Sequence, residues 1–300
     1  MKPDVFTPAD LARDNAPPLS DHGWRLLAEG DSWFSITATG RYSSNLLAEL
    51  RLPRSAAIVN CAAPGHTLQR MVDRQADGGC ERLLCHRRHA RHWDAVLLSA
   101  GGNDLIAAAA TPLADAAGQP IPTTQRLLRT VDEVGHAEHA TDWISEAGWA
   151  LLAAHLRVHM ARFVAWRDAS PSAGRPLLLH TYATPVARPS GAGLARQGWL
   201  YPTLLRHGVP AAWQQALTEA LFERLRRLLL GFDAAAGGPD ATPRVHVFDS
   251  AARVALRPAS PDDAGPSGDW VNEIHLSATG YRRLGRAFGA WIGDVLARYA

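Results

Sequence analysis

A serine that attacks an acyl carbon needs a base to take its proton, a group to orient that base, and donors aimed at the oxyanion that forms. The 300-residue chain offers residues of each kind. Ser32 stands in Leu27-Ala28-Glu29-Gly30-Asp31-Ser32-Trp33-Phe34, where an apolar run from Trp24 to Ala28 breaks at a glycine. Gly65 ends Asn60-Cys61-Ala62-Ala63-Pro64-Gly65, Asn103 lies in Gly101-Gly102-Asn103-Asp104, and His275 closes Asn272-Glu273-Ile274-His275. In such a site Ser32 attacks, and His275 takes the proton and returns it to the leaving group. The N–H groups of Ser32 and Gly65, with the Asn103 side-chain amide, hold the oxyanion. Gly-Asp-Ser and Asn-Asp are also ordinary turn and cap sequences, so the assignment depends on the four stretches converging. Asp31 and Asp104 are read as local structural residues.

The elements around these stretches favour convergence. Trp24–Ala28, Ala56–Asn60, Asp94–Ser99, Arg175–Tyr182 and Arg244–Asp249 read as strands, the first three ending at Gly30, Gly65 and Gly101-Gly102. Helical patterning falls between them: Asn45–Leu50 behind Ser43 and Ser44, Thr67–Gln75, Glu81–His89, Trp143–Trp166, Pro210–Leu230, and Ala278–Tyr299 behind the N-cap Ser277. Alternating strands and helices predict an α/β fold, a mostly parallel sheet with helices on both faces. Ligands of such sheets bind outside the carboxyl ends of the strands, where the candidate loops lie.

These blocks carry a family resemblance. Gly30-Asp31-Ser32-Trp33 resembles the first block of the SGNH or GDSL hydrolase family, and Asn60 to Gly65 is similar to its second, with the oxyanion glycine. Gly101 to Asp104 resembles the third block, with the oxyanion asparagine, and Asn272 to His275 the fifth, with the catalytic histidine. The likeness in order and spacing runs from about residue 24 to 298. It implies a flavodoxin-like three-layer α/β/α sandwich and a serine esterase without metal or cofactor. That enzyme cleaves a carboxylic ester of a small or medium acyl group through an acyl-serine intermediate. An acyltransferase on the same site, or a catalytically weak ligand-binding protein, are the alternatives.

The chain departs from the family where an acid usually stands three residues before the histidine; here it is Asn272. An amide carbonyl can accept from the His275 Nδ1–H and fix its tautomer, but brings no full charge to an imidazolium. The orienter is open between Asn272, a backbone carbonyl and Asp269, six residues before the histidine; Glu273 is expected to point away.

The remaining sequence sets bounds. An apolar share of 47% with 20% charged residues is that of a globular protein. A net charge of +2, with basic residues only in pairs such as Arg226-Arg227, argues against a nucleic-acid surface. No apolar run reaches the ~18 residues of a membrane span, and no secretory signal stands at the start, so a cytoplasmic protein with a small-molecule acyl ester as its partner is expected. Three cysteines, Cys61, Cys80 and Cys85, fit a reducing compartment. Cys85, His89 and His92 fall at i, i+4 and i+7, but the arginines between them oppose a metal ion, and none is expected. Residues 1–22 read as a flexible leader and 23–300 as one domain with inserted loops at about 107–140 and 183–209. Trp33, Tyr182, Trp199 and Tyr201 are candidate linings of the substrate pocket.

Overall fold

Among the described residues, six strands form one sheet: β1 (Asp4–Phe6), β2 (Trp24–Gly30), β3 (Ala56–Asn60), β4 (Ala95–Ser99), β5 (Leu177–His180) and β6 (Val245–Phe248). The computed structural model describes residues 1–35, 44–75, 79–192 and 197–299. Every strand pairing is parallel, in the order β1-β3-β2-β4-β5-β6. Apart from the short edge strand β1, this is the flavodoxin-like order 2-1-3-4-5, with its switch point between β2 and β4. The strands are apolar along their length because both faces are covered: Leu27 of β2 pairs with Val59 and Val96, and all three side chains are fully buried.

Parallel strands are joined by right-handed crossovers as a rule, and with the direction of travel reversing after β3 that rule puts helices on both faces. The helix Glu146–Asp168 packs with Leu68–Met71, Gly79–Cys85 and Gly102–Ala109. The C-terminal helix Ala278–Leu296 lies on the chain before β3. There Gly285 and Gly289 admit the backbone: an added Cβ would come within 2.6 Å of the Glu49 carbonyl and 2.4 Å of that of Arg51. Ser277 caps this helix, accepting from the Gly280 N–H, as its sequence predicts.

Several boundaries differ from the sequence reading. The leader expected to be frayed contributes β1, which pairs Asp4, Val5 and Phe6 with Ala57, Ile58 and Val59 at the sheet edge. Three residues are too few to carry a periodic signal. The helix expected at Asn45–Leu50 is a single turn, which the Asn45 side chain caps by accepting from the Ala48 N–H and which already buries Leu46, Leu47 and Leu50. Ser43 lies outside the described residues. The helix expected over Glu81–His89 ends at Cys85, so Cys85, His89 and His92 share no helix face. Of the loop expected at 107–140, the beginning belongs to the helix Gly102–Ala109. The rest is tied down by the capped turn Val131–Val134, whose Val131 N–H donates to the His207 carbonyl at 2.9 Å. The loop expected at 183–209 contains the helix Tyr201–Arg206, and its residues 193–196 lie outside the described part.

Candidate active site

The carboxyl ends of β2 and β4, at the switch point, bring the first and third sequence blocks together. Gly30 pairs with Ser99, and a Cβ on Gly30 would stand 2.8 Å from the Ser99 Cβ, so only glycine lets the strands approach this closely before the chain turns to Ser32. The second block runs beside them: the Cys61 N–H donates to the Ala28 carbonyl at 2.8 Å and the Ala63 N–H to the Gly30 carbonyl at 3.0 Å. Gly65 follows at φ +78°, where nothing would meet an added Cβ; backbone conformation favours glycine there, not lack of space. One Asn103 amide N–H donates to the His66 carbonyl at 3.0 Å, joining the second and third loops and leaving its other N–H. The N–H groups of Ser32 and Gly65 have no acceptor among the described residues. Asp104, expected in a local role, keeps backbone contacts at Gly101 and Asp104 and also reaches across: its carboxylate accepts from the Leu68 N–H at 3.0 Å.

From the C-terminal loop, His275 Nε2 meets Ser32 Oγ at 2.8 Å, and its Nδ1 meets Asn272 Oδ1 at 3.0 Å. The same Asn272 oxygen accepts from the backbone N–H of Ile274 at 3.1 Å and of His275 at 2.9 Å. Those two fixed donors decide which end of the amide faces the ring, because the NH₂ end would oppose both of them. With the carbonyl held toward it, Nδ1 must carry the proton, and Nε2 is the acceptor that a serine hydroxyl requires. Burial pushes the His275 imidazole down to about 4, so the ring is neutral at neutral pH.

The other candidate orienter takes no part. Asp269 is fully buried, and its carboxylate accepts from the Arg257 backbone N–H at 2.8 Å and pairs with the guanidinium groups of Arg257 and Arg283 at 3.1 and 3.0 Å. Six residues from the histidine, it closes the loop on itself and on the last helix. Glu273 does point away from the ring, as expected, but to a use that the sequence did not suggest. Its buried carboxylate accepts from the consecutive backbone N–H groups of Trp199, Leu200 and Tyr201. That holds the Trp199 ring edge-to-face with His275, centroids 5.4 Å apart.

Beneath the serine lies a buried cluster. Asp31 accepts from the Trp33 N–H at 3.0 Å, the local role expected of it, and also binds Ser99 Oγ at 2.8 Å and the Tyr182 hydroxyl. His180 Nε2 meets Ser99 Oγ at 3.0 Å. Burial pushes the Asp31 carboxyl up from 3.8 to about 6 and the His180 ring down to about 4. Ser99 and His180 were not singled out in the sequence; the available signal was a polar residue closing an apolar strand at the end that carries Ser32.

The four aromatic candidates separate. Trp33 and Tyr182 line the cavity beside Ser32, yet both are almost wholly buried. Trp33 also donates from Nε1 to the Ile274 carbonyl at 3.1 Å, bracing the loop that holds His275. Trp199 covers the histidine and Tyr201 lines a separate groove with Gln214, Glu219 and Pro258. Cys85 Sγ donates to the Trp166 carbonyl at 3.3 Å, and among the described residues no three His, Cys, Asp or Glu side chains are grouped to hold a metal ion. Among them, no helix is long and apolar enough to cross a membrane.

No protein-family model matches the chain, and no curated protein matches it. Solved structures are similar to it at low identity. An extracellular lipase from Streptomyces rimosus is 15% identical with a TM-score of 0.46, over 93% of this chain and 100% of its own. A phospholipase A1 from Streptomyces albidoflavus is 15% identical with a TM-score of 0.44, over 92% and 99%. A carbohydrate acetylesterase family member from Sinorhizobium meliloti is 14% identical with a TM-score of 0.44, over 91% and 99%. What the site can do follows from its own geometry.

Proposed function

We propose that the protein is a serine hydrolase of the SGNH type that cleaves a carboxylic ester through an acyl-serine intermediate. The observation that carries this is the chain Ser32 Oγ, His275 Nε2, His275 Nδ1, Asn272 Oδ1, with contacts of 2.8 and 3.0 Å and the amide locked by two backbone donors. Ser32 Oγ attacks the carbonyl carbon as His275 Nε2 takes its proton. The oxyanion is held by the Ser32 and Gly65 N–H groups and the free Asn103 amide N–H. Collapse expels the alcohol, which leaves with the proton from Nε2. A water then attacks the acyl-serine, gives its proton to the same nitrogen, and the carboxylic acid departs as Ser32 recovers its hydrogen.

The ring is available for this at neutral pH because burial keeps it unprotonated. Ser32→Ala is expected to lower the hydrolysis of nitrophenyl acetate by about 10³-fold or more and to abolish labelling by a fluorophosphonate, which needs the serine oxygen. Unchanged hydrolysis in the alanine variant would overturn the reading.

A further inference from the structure

Beside Ser32 lies a cavity of about 20 Å³, walled by Gly102, Ile106, Tyr182, Ala183, Pro185 and Phe222. A single water needs roughly 10–15 Å³ of such space, so the cavity admits one group of about methyl size. Ser32 and Asn103 line it, whereas His275 does not. The leaving alcohol must lie where His275 Nε2 can give it a proton, so the group that enters the cavity is the acyl chain. From this geometry we propose that the cavity is the acyl site and that its size restricts the enzyme to acetyl esters. The inference rests on the serine-hydrolase reading above.

The walls do not yield cheaply. The Tyr182 ring is pinned by its hydroxyl on Asp31, and that same end lies on Gly102, where an added Cβ would stand 2.9 Å from Cζ. Ala183 and Phe222 are each 7% exposed and belong to the main core. Phe222 sits within the helix Ala211–Gly231 and Ile106 within Gly102–Ala109, both long enough to be held by packing on either side. A longer chain must therefore displace core side chains, which protein interiors resist. Ile106 is half-buried and is the softest part of the wall.

The test compares nitrophenyl esters of two, four and eight acyl carbons on the wild type, Phe222→Ala and Ile106→Ala, with fluorophosphonate labelling of Ser32 in each. The wild type is expected to turn over acetate with a kcat/KM about tenfold or more above butyrate, with octanoate lower still. Each truncation is expected to move the preference toward four carbons or more while lowering acetate turnover a few-fold. Should Phe222→Ala not fold, Ile106→Ala on its half-buried wall carries the comparison. A labelled wild type that prefers butyrate or octanoate overturns the inference and leaves the hydrolase reading standing. So does an acetate preference that neither truncation moves. A wild type that hydrolyses none of the esters and takes no label overturns both.

Discussion

Ser32 has polar neighbours on two sides, built from the same kinds of group in opposite arrangements. On the open side a histidine meets the serine and an amide meets the histidine, and among the described residues no carboxylate bonds to either. On the buried side a carboxylate, Asp31, meets a serine, Ser99, and that serine meets a second histidine, His180. Counting protons separates them. His180 Nδ1 lies 2.8 Å from the Thr181 carbonyl and so carries its proton there, leaving Nε2 as an acceptor. Ser99 has one hydroxyl proton for both Nε2 and Asp31, so one contact lacks a proton unless the Asp31 carboxyl supplies its own. Burial raises that carboxyl to about 6, which favours this arrangement at mildly acidic pH. The acid of the site thus supports the turn that presents the nucleophile, and the base is oriented without charge.

The largest effect is expected from breaking the open side. Asn272→Leu keeps the branching and the number of side-chain heavy atoms but removes the acceptor of the ring proton and of two backbone N–H groups, so the tautomer is no longer set. A fall in kcat of about 10²–10³-fold is expected, with fluorophosphonate labelling of Ser32 slowed in parallel. A variant as fast as the wild type would mean that something else orients the ring.

Breaking the buried side should show in stability. Asp31 has its folded-state value raised from 3.8 to about 6, so its contribution is complete below about pH 3.8 and is lost as the pH rises through 6. The shift corresponds to about 3 kcal/mol. Denaturant unfolding of wild type and Asp31→Asn at a series of pH values should therefore show the wild type losing about that much relative to the variant between pH 4 and pH 7. The buried His180 and His275, both lowered to about 4, act in the opposite sense, losing stability as pH falls below 6.5. The difference between the two proteins isolates Asp31, and a flat difference would mean that the carboxyl is ionised throughout.

The open side was far more legible in the sequence than the buried one. Ser32, Gly65, Asn103 and His275 each sit at a strand end or before a capped helix, and glycines mark the turns, so motif and periodicity point the same way. The parallel sheet followed from β2, β3 and β4, whose apolar runs are unmistakable, whereas β1 was lost because three residues carry no period. The Asp31 cluster was invisible because it depends on strand register: Ser99 reaches Asp31 only because β4 pairs with β2 one residue before the turn. Asp269 and Glu273 misled or were passed over because sequence spacing says which acids are near the histidine. It does not say which are already committed, one to two arginines and the other to three backbone N–H groups.

The finest test restores to the open side what the buried side has. In a serine protease, replacing the triad aspartate by asparagine costs about 10⁴ in turnover, chiefly because the histidine is left in the wrong tautomer. Here the Ile274 and His275 N–H groups already force the right one, so most of that loss has been avoided. What an aspartate adds is charge. In Asn272→Asp the new carboxylate can accept the same three donors and also stabilise the imidazolium of the transition state, which should raise turnover at pH 8 by only about tenfold. The same charge favours the protonated ring and moves His275 up from about 4 toward the ordinary histidine value. Because the ring must be neutral to act as base, activity rises with pH through this value, and the acid limb of the kcat/KM profile should shift upward in the variant. A gain approaching 10⁴ would mean that the asparagine does not set the tautomer. A limb that stays in place would mean that burial alone governs the ring.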